Sequence, residues 1–588
     1  MNYVKALICI FLLSIHIMSC APVRARDDWA EETLRELSLR DKIAQMVHAR
    51  MPGKFINRQS QEFKKVEALV RENHIGGLAL FAGNVYESAI LLNEFQEISK
   101  LPLLVSSDFE RGAAFRIDDA TSFPWTMALG AVGDEELAYR QGLVTARESR
   151  AMGVHWIFAP VIDVNNNPDN PVINIRAFGS DPADVSRLGT AFIRGAQAGG
   201  TLTTAKHFPG HGDASIDSHI NMPVLDAGRD RLENVEFVPF RRAIEAGVDT
   251  VMTAHVAVPQ LTKGVKTPAT LSPEILTGVL KNSLGFRGIV VTDSMEMDGI
   301  KKHYGNAVAA VAAVKAGVDV LLLPPDAVEA INAIERAVKN GEISEKRIDE
   351  SVKKILEAKQ RLRLHENRTT NIEKIGDLVS SPENIQLADE IAARAVAAIK
   401  DEKRLLPLDP SEKRRVYGLV LTPTNSDTSG TAFLNAFKER FPGAQAELAT
   451  ARVPESQSAA IEKAIAAADI VVVATLTRLV TGRNIGIPDK HLSIVKKLAS
   501  LKKPVVWVIL GSPYLLRIAP EMGTVICSFS YSENSQEAAV KALFGDFRVS
   551  GKMPVSVPGA AKIGDGLEIP PRAKNAAPAA ETAAVSSD

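Results

Sequence analysis

The segment "KHFPGHGDASIDSH", Lys206 to His219, holds three of the chain's eleven histidines together with two aspartates and a lysine. Pro209, Gly210 and Gly212 keep it from being a regular helix or a core strand, so it reads as a loop that carries chemistry. Asp217 and His219 stand two residues apart in it. An aspartate bonded to one ring nitrogen fixes the tautomer and raises the basicity of the other, so such a pair can move a proton near neutral pH. The spacing of His207 and His211 serves a metal when both lie on one helix, which Pro209 and Gly210 prevent. No metal or other cofactor is expected. Farther along, "GIVVTDSMEM" sets Asp293 directly after an apolar run. An aspartate there can be a helix N-cap. It can also attack a carbon that develops positive charge, as a sugar's anomeric carbon does in an oxocarbenium-like transition state. That chemistry needs a proton donor for the departing oxygen, a role the Asp217–His219 pair could fill. Lys206 and His207, at the root of the loop, are placed to bond substrate hydroxyls.

Elements that could position these groups follow a regular pattern. Eight apolar runs rich in Val, Ile and Leu alternate with helix-like stretches, at residues 43–48, 76–81, 102–108, 156–164, 201–208, 250–256, 289–295 and 318–324. Runs of this kind are expected of parallel strands buried on both faces, and their number and spread match an α/β fold of the (β/α)8 TIM-like barrel type. A doubly wound sheet is the alternative. Asp108, Asp163, Lys206 with His207, His255 and Asp293 all come where an apolar run stops. In a barrel those ends converge on one face, which favours the barrel. Arg347 to Leu364 reads as an amphipathic closing helix. Residues 27–365 are thus assigned to a barrel and 366–384 to a linker. A smaller three-layer α/β sandwich domain is expected over 385–558, with strands at 416–423, 469–476, 504–510 and 524–531. The Ala- and Pro-rich stretch 559–588 is expected to be a disordered tail.

At 588 residues the chain exceeds what one core organises, consistent with two domains. A formal net charge of −1 with 24% charged residues implies no nucleic acid or other polyanionic partner. Lys5 precedes the apolar run Ala6 to Met18, long enough for a signal-peptide core and short for a membrane span, so residues 1–19 are expected to export the protein. "IMSC" resembles a bacterial lipoprotein box, which would leave Cys20 lipidated and the protein periplasmic or anchored to the outer membrane. Cleavage after Ala25 is the competing reading. Cys9, Cys20 and Cys527 are the three cysteines, too few for a disulfide framework. The oligomeric state stays open.

Several long segments resemble family three of the glycoside hydrolases, and within it the β-N-acetylglucosaminidase branch: "LSLRDKIAQM", "IGGLALFAGN", "FAPVIDVNNNPDNPVINIRAFGSDP", "KHFPGHGDASIDSH", "VMTAHV" and "FRGIVVTDSMEM". The resemblance implies that Asp293 is the nucleophile and that His219, oriented by Asp217, is the general acid/base. It also implies that Asp108, Arg116, Arg176, Lys206 and His207 contact the sugar, and that the loop closes over it to deliver the histidine. The substrate class implied is a carbohydrate, cell-wall fragments or chitin-type oligosaccharides, cleaved with retention. A β-glucosidase of the same fold, a phosphate-dependent phosphorylase, a sugar-binding lipoprotein without activity and a metal-dependent hydrolase are the alternatives. Where the family has a run like Asp-x-Glu-Gly-Gly-Arg, this chain reads "DFERGAAFRI", with Arg111 for the first glycine and Ala113 for the arginine, so a narrowed subsite is expected there.

Overall fold

A computed structural model describes residues 29–411, 413–425, 429–479 and 486–572. The expected leader 1–19, the lipidation site Cys20 and residues 573–588 lie outside the described residues. Eight strands form the first domain: β1 Val47–Gly53, β2 Gly77–Gly83, β3 Leu104–Ser107, β4 Trp156–Ile157, β5 Thr204–Phe208, β6 Thr250–Thr253, β7 Ile289–Thr292 and β8 Leu321–Leu322. They run parallel in the orders β4-β3-β2-β1-β8 and β5-β6-β7. Single bridges, Trp156 to Leu202 and Val291 to Val320, join the two sheets edge to edge and close the barrel. Edge closure removes the open strand edges that a doubly wound sheet would retain. Helices such as Gln61–Arg71 after β1, Pro182–Ala198 after β4 and Ala327–Lys339 after β8 cover the outside, and Glu345–Arg361 closes the domain.

Two departures from the expected strands have local causes. The run 43–48 is a strand only at its end. Ser38 caps a helix Leu39–Gln45 by accepting the Asp41 backbone N–H at 3.1 Å, so Ile43 and Ala44 are buried as a helical face. The run 156–164 stops as regular strand at Ile157. Pro160 has no N–H to donate, and beyond it the chain continues beside β5 through the isolated bridge of Val161 to Lys206.

The second domain is a six-stranded mixed sheet: β9 Ala397–Asp401, β10 Val416–Leu421, β11 Gln445–Ala449, β12 Ile470–Leu476, β13 Val505–Leu510 and β14 Thr524–Cys527. The order is β11-β10-β12-β13-β14-β9, with β9 antiparallel at one edge. Strands β9 and β11 were not expected, because Ala, Gln, Glu and Lys carry little strand signal. Residues 559–572, expected within a disordered tail, instead return to this sheet. The Leu567 backbone N–H donates to the Ala398 carbonyl at 2.7 Å, Val549 and Ile569 exchange two backbone hydrogen bonds, and Ala561 and Ile569 are buried. A few apolar side chains at sheet spacing suffice to hold a segment whose composition looks unstructured.

Segment 366–384 is clamped to the barrel. Thr370 exchanges backbone bonds with the Asn93 side chain at 2.8 and 2.9 Å, and the buried Glu148 carboxylate accepts from the Ser380 backbone and the Asn384 amide, both at 2.9 Å. The domains also share a core. Trp125, Met127, Ala128 and Ile175 of the barrel pack with Tyr417, Leu419, Tyr514 and Phe529.

One buried charge makes a testable contribution. Lys359, on the closing helix, is fully buried, and its Nζ donates to Gln45 Oε1 at 2.6 Å. Burial, helped by the charge of Arg368, pulls its pKa down to about 7, and the neighbouring His48 and His155 are also held neutral by burial. The unfolded chain keeps the lysine protonated to about pH 10, so between those values it binds more protons than the folded protein and stability rises with pH. Below pH 7 the full penalty of burying the amine is present. In Lys359→Met, the Tm of wild type relative to the variant should therefore climb between pH 7 and 10. A gap that stays constant with pH would contradict the assignment.

Candidate active site

The carboxyl ends of the barrel strands open into a cavity of about 1230 Å³, lined by both domains. Asp108, Arg116, Arg176, Lys206, His207, Asp217, His219 and Asp293 all line it, so the expected nucleophile, acid/base pair and sugar contacts come to one place, while Asp163 and His255 are buried outside its lining, bonded to His207 and to the Ser294 carbonyl.

The cavity floor is a network of buried charges. Lys206, 2% exposed at the end of β5, places its ammonium 2.9 Å from Asp108 Oδ1 and 2.8 Å from Glu110 Oε1. Arg116 holds the other oxygen of Asp108 at 2.7 Å, and Arg176 forks onto Glu110 at 2.9 and 2.7 Å. Burial opposes ionisation of Asp108 and Glu110, yet Lys206 with Arg116 or Arg176 holds both carboxyls well below the usual carboxylate range. Burial likewise opposes the Lys206 charge, and Asp108 and Glu110 outweigh it and raise its pKa. Arg111 and Ala113 do not disrupt this arrangement. Gly112 makes the turn with φ +81°, where a Cβ would meet the Thr121 carbonyl and the Phe123 ring at 2.7 Å, and Arg116 arrives from the next turn to pair with Asp108. Lys206→Met should leave two buried carboxylates short of a countercharge and cost about 3–5 kcal/mol of stability in denaturant unfolding. A loss below about 1 kcal/mol would show that the cluster does not depend on it.

His207 is held in one tautomer. Its Nδ1 lies 2.7 Å from Asp163 Oδ2, so Nδ1 donates and Nε2 accepts from Arg176 at 3.4 Å. Asp163 is buried and also accepts the His207 and His211 backbone N–H groups. The loop that carries Asp217 and His219 is rooted here. Gly212 passes so close to the strand β4 exit that a Cβ would lie 1.9 Å from the Val164 carbonyl, and the Asn170 amide donates to the His211 and Gly212 carbonyls at 2.8 and 2.9 Å. His211 turns its Nε2 to Ser218 at 2.9 Å, and burial pulls its pKa down to about 4. Among the described residues no cluster of histidine, cysteine and carboxylate side chains has the arrangement to hold a metal ion.

At the loop's far end the Asp217 carboxylate is almost fully buried. One oxygen accepts from both the backbone and Nδ1 of His219, at 2.9 and 2.8 Å. This leaves Nε2 to exchange a proton on the cavity side, and the ring is about one-third exposed (36%). Asp293 follows β7 directly. The Ser294 backbone donates to its Oδ1 at 2.7 Å, and His255 steadies the adjacent Ser294 carbonyl at 2.9 Å. Burial opposes ionisation of Asp293, but His207, His255 and His219 around it, with the Ser294 N–H, hold its carboxyl below the ordinary value. An ionised carboxylate and a carboxylate-oriented imidazole thus face one cavity floored by paired buried charges.

The second domain takes part in ways no local pattern announced. Tyr514 accepts from the Asn165 amide at 2.9 Å and donates to the Asn165 carbonyl at 3.0 Å, while Asn165 Oδ1 holds the turn Asn174–Arg176 through the Asn174 N–H. It therefore fixes the loop that carries Arg176. In the sequence Asp163 stands out only as a polar residue at a strand end, His211 only through its spacing from His207, and Glu110 only within the run that begins at Asp108.

A closed barrel with such a site on its carboxyl face defines a hydrolase acting on glycosidic bonds. Residues 38–358 match the glycosyl hydrolase family 3 N-terminal domain and residues 396–582 its C-terminal domain, so the chain belongs to glycosyl hydrolase family 3. It is 30% identical over 410 residues to a β-N-acetylglucosaminidase/β-glucosidase of Cellulomonas fimi, covering 68% of this chain and 72% of that protein. It is 28% identical over 558 residues to β-hexosaminidase A of Pseudoalteromonas piscicida, covering 84% and 91%. Among solved structures it is similar to a family 3 β-N-acetylglucosaminidase from Paenibacillus sp. str. FPU-7, with TM-score 0.80, 31% identity and coverage of 90% of this chain and 100% of that one. It is also similar to the β-glucoside phosphorylase BglX bound to 2FGlc, with TM-score 0.80, 25% identity and coverage of 90% and 96%.

Proposed function

We propose that the protein removes terminal N-acetylglucosamine from cell-wall fragments or chitin-type oligosaccharides, as a retaining exo-β-N-acetylglucosaminidase. The observation that carries this reading is the 2.8 Å bond from His219 Nδ1 to Asp217, on a loop that faces the cavity of Asp293. In the first step Asp293 attacks the anomeric carbon, and His219 gives its Nε2 proton to the departing oxygen. In the second, His219 takes a proton from water as that water displaces Asp293, so the carboxylate and the imidazole both return to their starting states. Asp108 and Lys206 bond sugar hydroxyls, with Arg116, Arg176 and His207 beside them. Because those carboxylates stay ionised, they offer acceptors to hydroxyl donors without changing state at neutral pH. Export through residues 1–19 and a lipid on Cys20 would bring the enzyme to such glycans. Cys20→Ser should then move it from the membrane to the soluble fraction.

The similarity to a phosphorylase keeps a second reading, in which phosphate replaces water in the second step. A histidine base repels an anionic acceptor less than a carboxylate base does. A panel of aryl β-glycosides assayed with and without phosphate tests both. Release of aryl alcohol from the N-acetylglucosaminide is expected, and no turnover of it would refute the proposal.

A further inference from the structure

Two arginines on the cavity wall have no part in the chemistry above. Arg111 bonds only neutral oxygens, Ser122 Oγ at 2.9 Å and the Phe123 carbonyl at 3.3 Å, and its guanidinium lies 5.3 Å from the Trp125 ring. Its Nε is buried and has no hydrogen-bond partner among the described residues. Arg478, exposed, comes from the second domain just past β12. Neither has a carboxylate within ion-pair distance among the described residues, whereas Asp118 and Glu537 of the same wall are paired with Lys54 and Lys541. Tyr531, whose ring is 5.8 Å from Trp125, feels the charge of both arginines.

The topology of the second domain gives this placement a reason. Strand β10 has β11 on one side and β12 on the other, so the chain's winding reverses beside it, and strands β10 to β14 are parallel. Ligands of open parallel sheets bind at such a reversal, outside the carboxyl ends of the strands. Here those ends, through Thr424, Arg478 and Tyr531, line the barrel's catalytic cavity.

We propose that Arg111 and Arg478 form an oxyanion site on the leaving-group side of the cleft, selecting glycosides whose departing sugar carries a carboxylate. This rests on the reading of Asp293 and His219 as the cleaving pair. The same chemistry would hold inorganic phosphate. In that case a phosphate oxygen bonds to the anomeric carbon as the bond to Asp293 breaks, the electron pair returns to the carboxylate, and an already ionised oxygen needs no base.

The test compares two disaccharides, N-acetylglucosamine β-linked to glucuronic acid or to glucose, in wild type, Arg111→Gln and Arg478→Gln. Wild type should prefer the acidic substrate in kcat/KM, and each variant should lose about tenfold of that preference, through KM. Exposed Arg478 should lose its share at high salt. Among the described residues Arg478 makes no side-chain hydrogen bond or ion pair, so its variant keeps the test valid if Arg111→Gln misfolds. Phosphate that speeds turnover of the neutral substrate, in an Arg478-dependent way and with a sugar phosphate as product, assigns the site to the free anion. Equal rates on both substrates in all three proteins, with no effect of phosphate, overturn the proposal. A wild type that fails on an aryl N-acetylglucosaminide instead overturns the reading beneath it.

Discussion

Asp293→Ala should lower kcat on an aryl N-acetyl-β-glucosaminide by on the order of 10⁴-fold or more, with substrate binding largely kept. The carboxylate follows β7, and although burial opposes its charge, His207, His255 and His219 hold its carboxyl below the ordinary value. Asp108 and Glu110 of the same site could replace it only by breaking ion pairs. Both are committed to Lys206 and an arginine. The loss should therefore appear as slower chemistry and leave the fold intact, so the variant's thermal unfolding is a necessary companion measurement. Activity that survives the substitution would move the nucleophile to the substrate's own acetamido group, as in substrate-assisted glycosidases.

His219→Ala should divide substrates by leaving group. For a sugar or alkyl leaving group, whose oxygen must be protonated as it departs, kcat/KM should fall by about 10²–10⁴-fold. For an activated aryl glycoside the first step scarcely needs the proton, so kcat/KM should fall little while kcat drops, because the second step still wants a base. Azide, a nucleophile that needs no base, should restore turnover of the activated substrate in this variant. Asp217→Asn should act in the same direction, since its carboxylate orients the ring through the 2.8 Å bond to Nδ1. Equal losses on both substrate types, or no rescue by azide, would remove His219 from the acid/base role.

Much of this site can be read from the chain alone because barrel strands announce their ends. Five of the eight apolar runs stop where a polar residue begins, and closure turns those stops into one face. The His–Asp pair was legible for the same reason that it works: both partners lie within one loop. The rest depends on meetings between distant segments. Glu110 balances Lys206 and Arg176 from three different strand ends, and no spacing in sequence encodes that triangle. His207 gains its tautomer from Asp163, 44 residues away. Tyr514 reaches Asn165 across 349 residues. The short strands β9 and β11 were hidden by residues of weak strand preference, which the neighbouring strands override. Residues 43–45 read as strand although they end the helix Leu39–Gln45 that Ser38 starts, because a short apolar run can be buried by either element.

The central claim is a covalent bond from the sugar to Asp293, and it is tested most directly by trapping. Wild type should be mixed with a fluorinated N-acetylglucosaminide that reacts quickly in the first step and slowly in the second, then quenched, digested and analysed by mass spectrometry. One glycosyl unit is expected on the peptide that contains Asp293, formed as the leaving group is released in a burst and lost on further incubation. Release of the leaving group without any labelled peptide, or with the label on another carboxylate, would contradict it.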